Sequence, residues 1–205
     1  MRPRISQWFV YVVFSGAFII ACAGTKLTHT WMDETFHGKP VSDILVIGVT
    51  YKKENRQSFE NKFVAQLKAA GVEAVSSSDV IPIPADLELK KEEILKAVNK
   101  FKNDAVIITH LVGVGEKESY TAPESNQGDY YGYYGWAFSS THEPGYYRTH
   151  TLVHLTTHLY DVKTEKLIWS GKSESLDPGS TNQIIDDVIE VLIKNLQKNK
   201  LLPTK

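Results

Sequence analysis

The sequence predicts an α/β fold, an α+β sandwich in which helices pack on a mixed central sheet. Two continuous runs rich in β-branched residues, 43–50 and 105–114, are typical of central strands that are covered on both faces. Two helical patterns lie between these runs, and two further strand patterns and a last helical pattern follow them. The order of the first half predicts a β-α-β-α-β unit with parallel neighbours joined by right-handed crossovers.

The two helices of that unit are predicted from apolar residues spaced three or four apart. The first spans 57–70 and ends at Gly71, and the second spans 90–102 with acidic residues in its first turn. A short strand at 72–76 is expected between them. The apolar stripes consist of Phe59, Phe63 and Leu67 in the first helix and Ile94, Val98 and Phe101 in the second.

The C-terminal third predicts an antiparallel hairpin and a closing helix. The strand patterns at 149–162 and 166–176 are joined by only three residues, a connection too short for parallel strands. Ser180 and Gln183 match a helix-capping box, and a wide apolar stripe that includes Leu192 follows. The segment 26–39 is either a tether or an edge strand, and the sequence leaves both open.

The N-terminus has the layout of an export signal. Arg2 and Arg4 precede an apolar run from Trp8 to Ile20, which is shorter than the roughly 20 residues of a transmembrane helix. Cys22, the only cysteine, ends this run, and the segment resembles the lipobox of bacterial lipoproteins. The resemblance implies that residues 1–21 are removed, that Cys22 carries lipid, and that Ala23 favours the outer membrane, with the protein facing the periplasm.

Length and composition predict one globular domain, 43–205, after a lipidated N-terminus and tether or edge strand at 22–42. The 205 residues are 42% hydrophobic, within the ordinary globular range. Lys and Arg number 23 against 24 Asp and Glu, so the broad basic surface of a nucleic-acid-binding protein is not expected. A lipid-bearing Cys22 leaves no thiol for a disulfide.

Two sets of short motifs lie in the body of the chain: Arg56, Phe59-Glu60, Phe63, Leu67 and Gly71 in the first helix, and Leu159-Tyr160-Asp161-Val162, Lys166-Leu167 and Trp169-Ser170 in the hairpin. With these motifs the chain resembles periplasmic lipoproteins related to the curli-secretion lipoprotein and the penicillin-binding-protein activator lipoproteins, and an uncharacterised group of proteobacterial lipoproteins. The resemblance implies an α/β sandwich with a mixed sheet, and it brings no catalytic residues because none is established for that uncharacterised group.

An aromatic segment at 115–151 contains no Val, Ile, Leu or Met and predicts a long insertion loop. Tyr and Trp combine a flat apolar face with a hydrogen-bonding tip, which favours contact surfaces for a protein or a glycan. A passive low-complexity loop is the alternative. The surplus of Glu and Asp argues against single-stranded nucleic acid and anionic lipid. The candidate partner-binding residues are Tyr130, Tyr131, Tyr133, Tyr134, Trp136, Phe138, Tyr146 and Tyr147.

A search for catalytic, metal or cofactor motifs favours a protein that is not an enzyme. His150, His154 and His158 recur every four residues, but in a strand this spacing separates them by about 13 Å, so we expect no metal site. Gly171-Lys172-Ser173 imitates a phosphate-binding loop without its first glycine or its helix, and no cofactor is expected. His110, inside an apolar run, is predicted to be a hydrogen-bonded core residue.

These observations predict a non-enzymatic outer-membrane lipoprotein that binds another envelope protein through the aromatic segment. A glycan- or peptidoglycan-binding module is the alternative, and a periplasmic hydrolase is third. Partner identity and oligomeric state, including a homo-oligomer, stay open, as does exposure of the domain at the cell surface.

Overall fold

A computed structural model of the chain describes residues 24–121, 129–142 and 146–203. In these ranges the elements follow in the order β1 (Thr25–Met32), β2 (Asp43–Val49), α1 (Lys53–Ala69), β3 (Glu73–Ser76), α2 (Ser77–Val80), α3 (Lys91–Phe101), β4 (Ala105–Thr121), α4 (Tyr130–His142), β5 (Tyr146–Asp161), β6 (Leu167–Leu176) and α5 (Thr181–Lys198). The predicted mixed α/β fold with a C-terminal helix is confirmed.

One six-stranded sheet organises the domain, in the strand order β1-β6-β5-β4-β2-β3. The strand β2 pairs in parallel with β3 and β4, while β4, β5, β6 and β1 pair antiparallel in succession. The predicted parallel unit and the predicted hairpin are therefore both present. The first part of the segment 26–39 lies in an edge strand, since β1 pairs along β6, and residues 33–39 form no strand.

The main core lies between one face of the sheet and the helices α1 and α5. Phe63 and Leu67 of α1 and Leu192 of α5 are fully buried there against Ile107 and Trp169 of the sheet. A smaller core under α3 joins Leu45, Ile47, Ala97 and Val98 on the opposite face. Helices therefore pack on both faces of the sheet, and the smaller core also includes Val75 of β3 and Val106 of β4.

Two local features explain glycines in the sequence. Gly71 follows α1 with a φ of 85°, a conformation that side chains with a Cβ rarely adopt, as its predicted role at the helix end requires. A Cβ on Gly171 would lie 2.4 Å from the ring of Trp169, so this glycine makes room for the buried indole. The triplet 171–173 therefore belongs to strand packing in β6.

The aromatic segment does not form the predicted loop. The strand β4 continues to Thr121, β5 starts at Tyr146, and α4 lies between them. The loop is predicted because a segment without aliphatic residues cannot form a buried strand. These strand ends are exposed instead, and they continue a ladder that begins in the core, where burial has already fixed the register.

Candidate functional site: the aromatic arm

A two-stranded extension of the sheet, here called the arm, consists of residues 116–121 of β4 and 146–151 of β5. The pairing of β5 with β6 ends at Leu152, and that of β4 with β2 ends at His110. Beyond that level β4 and β5 pair only with each other, from Glu116 opposite Thr151 to Thr121 opposite Tyr146. At about 3.3 Å per residue the arm is roughly 20 Å long.

The helix α4 lies at the tip of the arm, since residue 142 at its end is only four positions before Tyr146. Asp129 starts the helix: its carboxylate accepts a hydrogen bond from the Gly132 amide at 2.7 Å, and its carbonyl accepts one from the Tyr133 amide. An N-terminal cap of this kind supplies hydrogen-bond partners that a short exposed helix otherwise lacks.

The aromatic side chains of α4 face outward. Tyr130 is 75% exposed and Tyr134 68%, and Tyr131, Tyr133 and Phe138 are also more than half exposed. Rings pair with one another along the helix, as in Tyr133 and Trp136 with centroids 5.5 Å apart. At 100° per residue, these aromatics occupy an arc of about 220°, while Gly132, Gly135 and Ser139 occupy the remainder.

Tyr146 and Tyr147, the last two predicted contact residues, belong to the arm and are exposed. Tyr147 pairs across the ladder with Tyr120, ring centroid to ring centroid 5.3 Å. The structure therefore brings all eight predicted aromatic residues to one end of the molecule. Cys22, the predicted lipidation site, lies outside the described residues.

A hydrogen-bonded clamp joins the base of the arm to the turn between β6 and α5. His150 Nδ1 donates to Asp177 Oδ2 at 2.5 Å, and in the neutral ring Nε2 accepts from Ser119 Oγ at 2.8 Å. Asp177 and Thr151 also exchange hydrogen bonds, through the Thr151 amide to the carboxylate and the Asp177 amide to the carbonyl. The hydrogen bond from His150, then that from Thr151, holds the pKa of Asp177 below its usual value.

Ser119, His150 and Asp177 are hydrogen-bonded in the order of a catalytic triad, but their burial and backbone positions differ from those of a catalytic triad. The triad carboxylate of a serine hydrolase is buried, whereas the Asp177 side chain is 50% exposed. Ser119 lies within a regular ladder opposite Arg148, away from any strand-to-helix elbow. We assign the three residues to positioning of the arm. Sequence reasoning missed them because 31 and 27 positions separate the partners.

The histidines of β5 are arranged as predicted for a strand. His154 Nδ1 lies 4.0 Å from Glu174, and His158 Nδ1 lies 3.1 Å from the Tyr160 hydroxyl. Burial, with a smaller contribution from His110, lowers the pKa of His158. Among the described residues no group of three or more His, Cys, Asp or Glu could hold a metal ion. His110 is exposed, so its predicted place in the core is wrong.

The residues Arg56 and Glu60, which contributed to the family resemblance, form a buried ion pair. Glu60 Oε1 accepts from Arg56 Nε at 2.9 Å and from the Gly48 amide at 2.8 Å. Ser76, Ser77 and the amide of residue 78 donate to the same carboxylate. This network connects α1 to β2, to the end of β3 and to the start of α2, so it stabilises the packing of these elements.

An apolar cavity of about 210 Å³ lies at the base of the arm, beside the start of α5. Leu111, Val114 and Val153 line it from the sheet, with Phe59 and Ile185 from the helices.

Within the described ranges, no helix is both long enough and apolar enough to cross a membrane.

Comparison with known proteins gives similarity in solved structures only. No protein-family description and no curated protein sequence matches the chain. The PelC dodecamer from Paraburkholderia phytofirmans has a similar fold at a TM-score of 0.47 and 12% identity, over 89% of this chain and 100% of that chain. Lipoprotein GNA1162 from Neisseria meningitidis is similar at a TM-score of 0.41 and 15% identity, over 77% of this chain and 99% of that chain.

Proposed function

We propose that the chain is a non-enzymatic, lipid-anchored envelope protein that binds another envelope protein through α4. The observation that supports this proposal is the outward display of aromatic side chains on a capped helix at the tip of the arm. A helix with five aromatic residues more than half exposed costs solubility unless those rings are covered in the functional state.

The size of this surface suits a protein partner. Aromatic side chains bury 150–250 Å² each when fully covered. Because the five exposed rings of α4 are 55–75% exposed, covering them would bury roughly 500–800 Å². One side of a standard protein interface is about 800 Å². Tyr and Trp are also enriched among the residues that dominate binding energy, because a rigid ring loses little entropy on contact.

The clamp supports the same proposal. A free two-stranded hairpin is marginal in water, and its tip would have to be ordered on binding. His150 and Asp177 fasten the arm at its base, and Tyr120 packs on Tyr147 further along it. A pre-ordered arm loses less entropy when α4 is covered.

The test is cross-linking in whole cells with two matched variants. The double variant Tyr131→Ser with Tyr134→Ser removes two of the most exposed rings, and we expect it to lose the cross-linked adduct. The control Gly135→Ala lies on the side of α4 without aromatic residues, where an added Cβ meets nothing within 4 Å, and should keep the adduct. Adducts that persist in the double variant would refute α4 as the contact surface.

A pull-down with purified sacculi distinguishes glycan binding from binding of a protein partner. Binding to sacculi that depends on Tyr131 and Tyr134, with no protein adduct, would favour a glycan module.

The lipid anchor has its own test: Cys22→Ser should abolish lipid labelling and release the domain into the soluble fraction. Retention in the membrane pellet after a high-salt wash would mean that residues 8–20 act as an uncleaved helix.

A further inference from the structure

The start of β1 and the arm lie at the same end of the sheet. Thr25 pairs with Ser175, Ser175 with Val153, and Val153 with Val114, so one row of residues crosses four strands just below the arm. The strand β1 runs away from this row and the arm extends beyond it. The residues before Thr25 therefore leave the domain on the side of the arm.

The distance from this row to the lipid site is limited by the covalent chain. Cys22 is three residues before Thr25, and an extended chain spans at most about 3.3–3.6 Å per residue. A lipid on Cys22 is therefore held within roughly 10 Å of the row. The bilayer that receives this lipid must lie close to the arm end of the sheet.

The arm is long enough to reach that bilayer. It extends roughly 20 Å past the row, although the sheet twists by about 20–25° per strand between β1 and the arm. Two or three such steps turn the arm by about 40–75° from β1, which leaves about 5–15 Å of its length along the direction of β1. This range includes the roughly 10 Å that the three residues at the anchor can span, so the tip of the arm and the lipid lie at a similar depth.

The composition of α4 fits the headgroup region. Tyr130 to Thr141 contains no charged side chain, and the rings of Tyr and Trp are enriched at membrane interfaces because they have an apolar body and a polar tip. In the described arm and α4, the acidic residues Glu116, Glu118 and Asp129 outnumber the basic residues Lys117 and Arg148, so this end of the molecule has no net positive charge to attract anionic lipids. The lipid surface that suits this end of the molecule is zwitterionic.

We propose that α4 lies in the headgroup region of the same bilayer that holds the lipid on Cys22. This inference rests on the proposed anchor. It makes the partner of α4 a lipid surface, and a protein that binds α4 would have to be exposed at that surface. The domain is then held at two points, the acyl chains and the aromatic helix, which fixes its orientation on the membrane.

Tryptophan quenching in the lipidated chain tests the proposal. Of the four tryptophans, Trp8 lies in the predicted leader, Trp169 is buried, and Trp31 is half-exposed near the far end of β1. The mature protein is placed in phosphatidylethanolamine and phosphatidylcholine vesicles that carry a quencher at headgroup depth. We expect Trp136→Phe to abolish more than half of the quenching, Trp31→Phe to preserve it, and high salt to leave it unchanged.

The outcomes distinguish this inference from the proposed function. Quenching that is absent in the lipid-labelled wild type, or that survives Trp136→Phe, overturns the inference, and cross-links through Tyr131 and Tyr134 to a soluble protein would then make α4 a protein-binding surface alone. Quenching without any protein adduct supports the inference and removes the protein partner. Quenching that requires anionic lipid and falls with salt also overturns it. Gly135→Ala serves as the folded control and should be quenched like the wild type.

Discussion

Glu60→Gln is expected to destabilise the domain more than any exposed charge substitution in α1. The Glu60 side chain is fully buried and accepts five hydrogen bonds, from Arg56, Ser76, Ser77 and the amides of Gly48 and Ser78. A glutamine keeps the shape, but its amide NH₂ must face donors at one of the two oxygen positions. Fewer hydrogen bonds are lost when the NH₂ group takes the position of Oε2, where the Ser78 amide is then left without an acceptor.

The magnitude follows from the charge that remains. Arg56 is 2% exposed, and Glu60→Gln leaves its guanidinium buried without a counter-ion. Breaking a buried ion pair by removing one partner costs about 3–5 kcal/mol. For a domain of this size, each kcal/mol lowers the Tm by about 2–4 °C, so a fall of roughly 6–20 °C is expected.

A matched control lies two positions along the same helix. Lys62 Nζ and Asp186 Oδ2 are 2.9 Å apart, the same separation as in the buried pair, but both side chains are accessible to water. Lys62→Met should therefore cost only about 0.2–1 kcal/mol. The measurement is urea unfolding followed by circular dichroism, with Arg56→Met added to complete a double-mutant cycle. Equal losses for Glu60→Gln and Lys62→Met, or a coupling energy of zero with Arg56→Met, would refute the reasoning.

Three further predictions concern the core, the arm and pH. Leu192→Ala, at a fully buried site between α5 and the sheet, should lower the free energy of unfolding by about 2–5 kcal/mol, and an unchanged urea midpoint would show that α5 is not docked. Replacing residues 122–145 by Asn-Gly joins Thr121 to its cross-strand partner Tyr146 through a two-residue turn. The far-ultraviolet circular dichroism spectrum of the sheet should persist, with the free energy of unfolding changed by only about 1 kcal/mol. Unfolding of this variant would show that α4 belongs to the core. The pKa of His158 is lowered in the folded state, so the unfolded chain binds protons first as pH falls below about 6.5. The free energy of unfolding should therefore decline below this pH, and less steeply in His158→Gln than in the wild type. Equal pH slopes for the two proteins would contradict this cause.

The buried strands and helices could be predicted because residues buried in the core give regular apolar patterns in the sequence. Ile44, Leu45, Val46 and Ile47 are all buried, so both faces of β2 are apolar and the run is continuous. The stripes of α1 and α5 are equally direct. The strand β1 is different, since it has one partner strand, which lies about 150 positions away, and most of its residues are exposed.

The arm and its clamp could not be predicted because neither depends on burial. The residues of the arm are held by a ladder whose register is set inside the core, so their own apolar pattern carries no signal. Seven of the eight predicted aromatic residues are exposed and Trp136 is partly exposed, and their role in binding stays a prediction. Where the structure describes the predicted loop, it is a strand end, a helix and a strand end. His110 was misplaced for a related reason: β2 ends opposite it, at Val49, and the His110 side chain is exposed.

The bulge near the start of β1 has a consequence for crowding. The register of β1 against β6 shifts between Leu27 and His29, and Lys26 stands beside this irregularity. Edge strands that are regular and uncharged invite pairing with the edge of another copy. Attachment to a surface through lipid raises the local density of neighbouring copies, which would make such pairing more frequent than in free solution. With the proposed lipid anchor, an interrupted outer edge with a lysine would keep neighbouring copies on one membrane from joining into extended sheets.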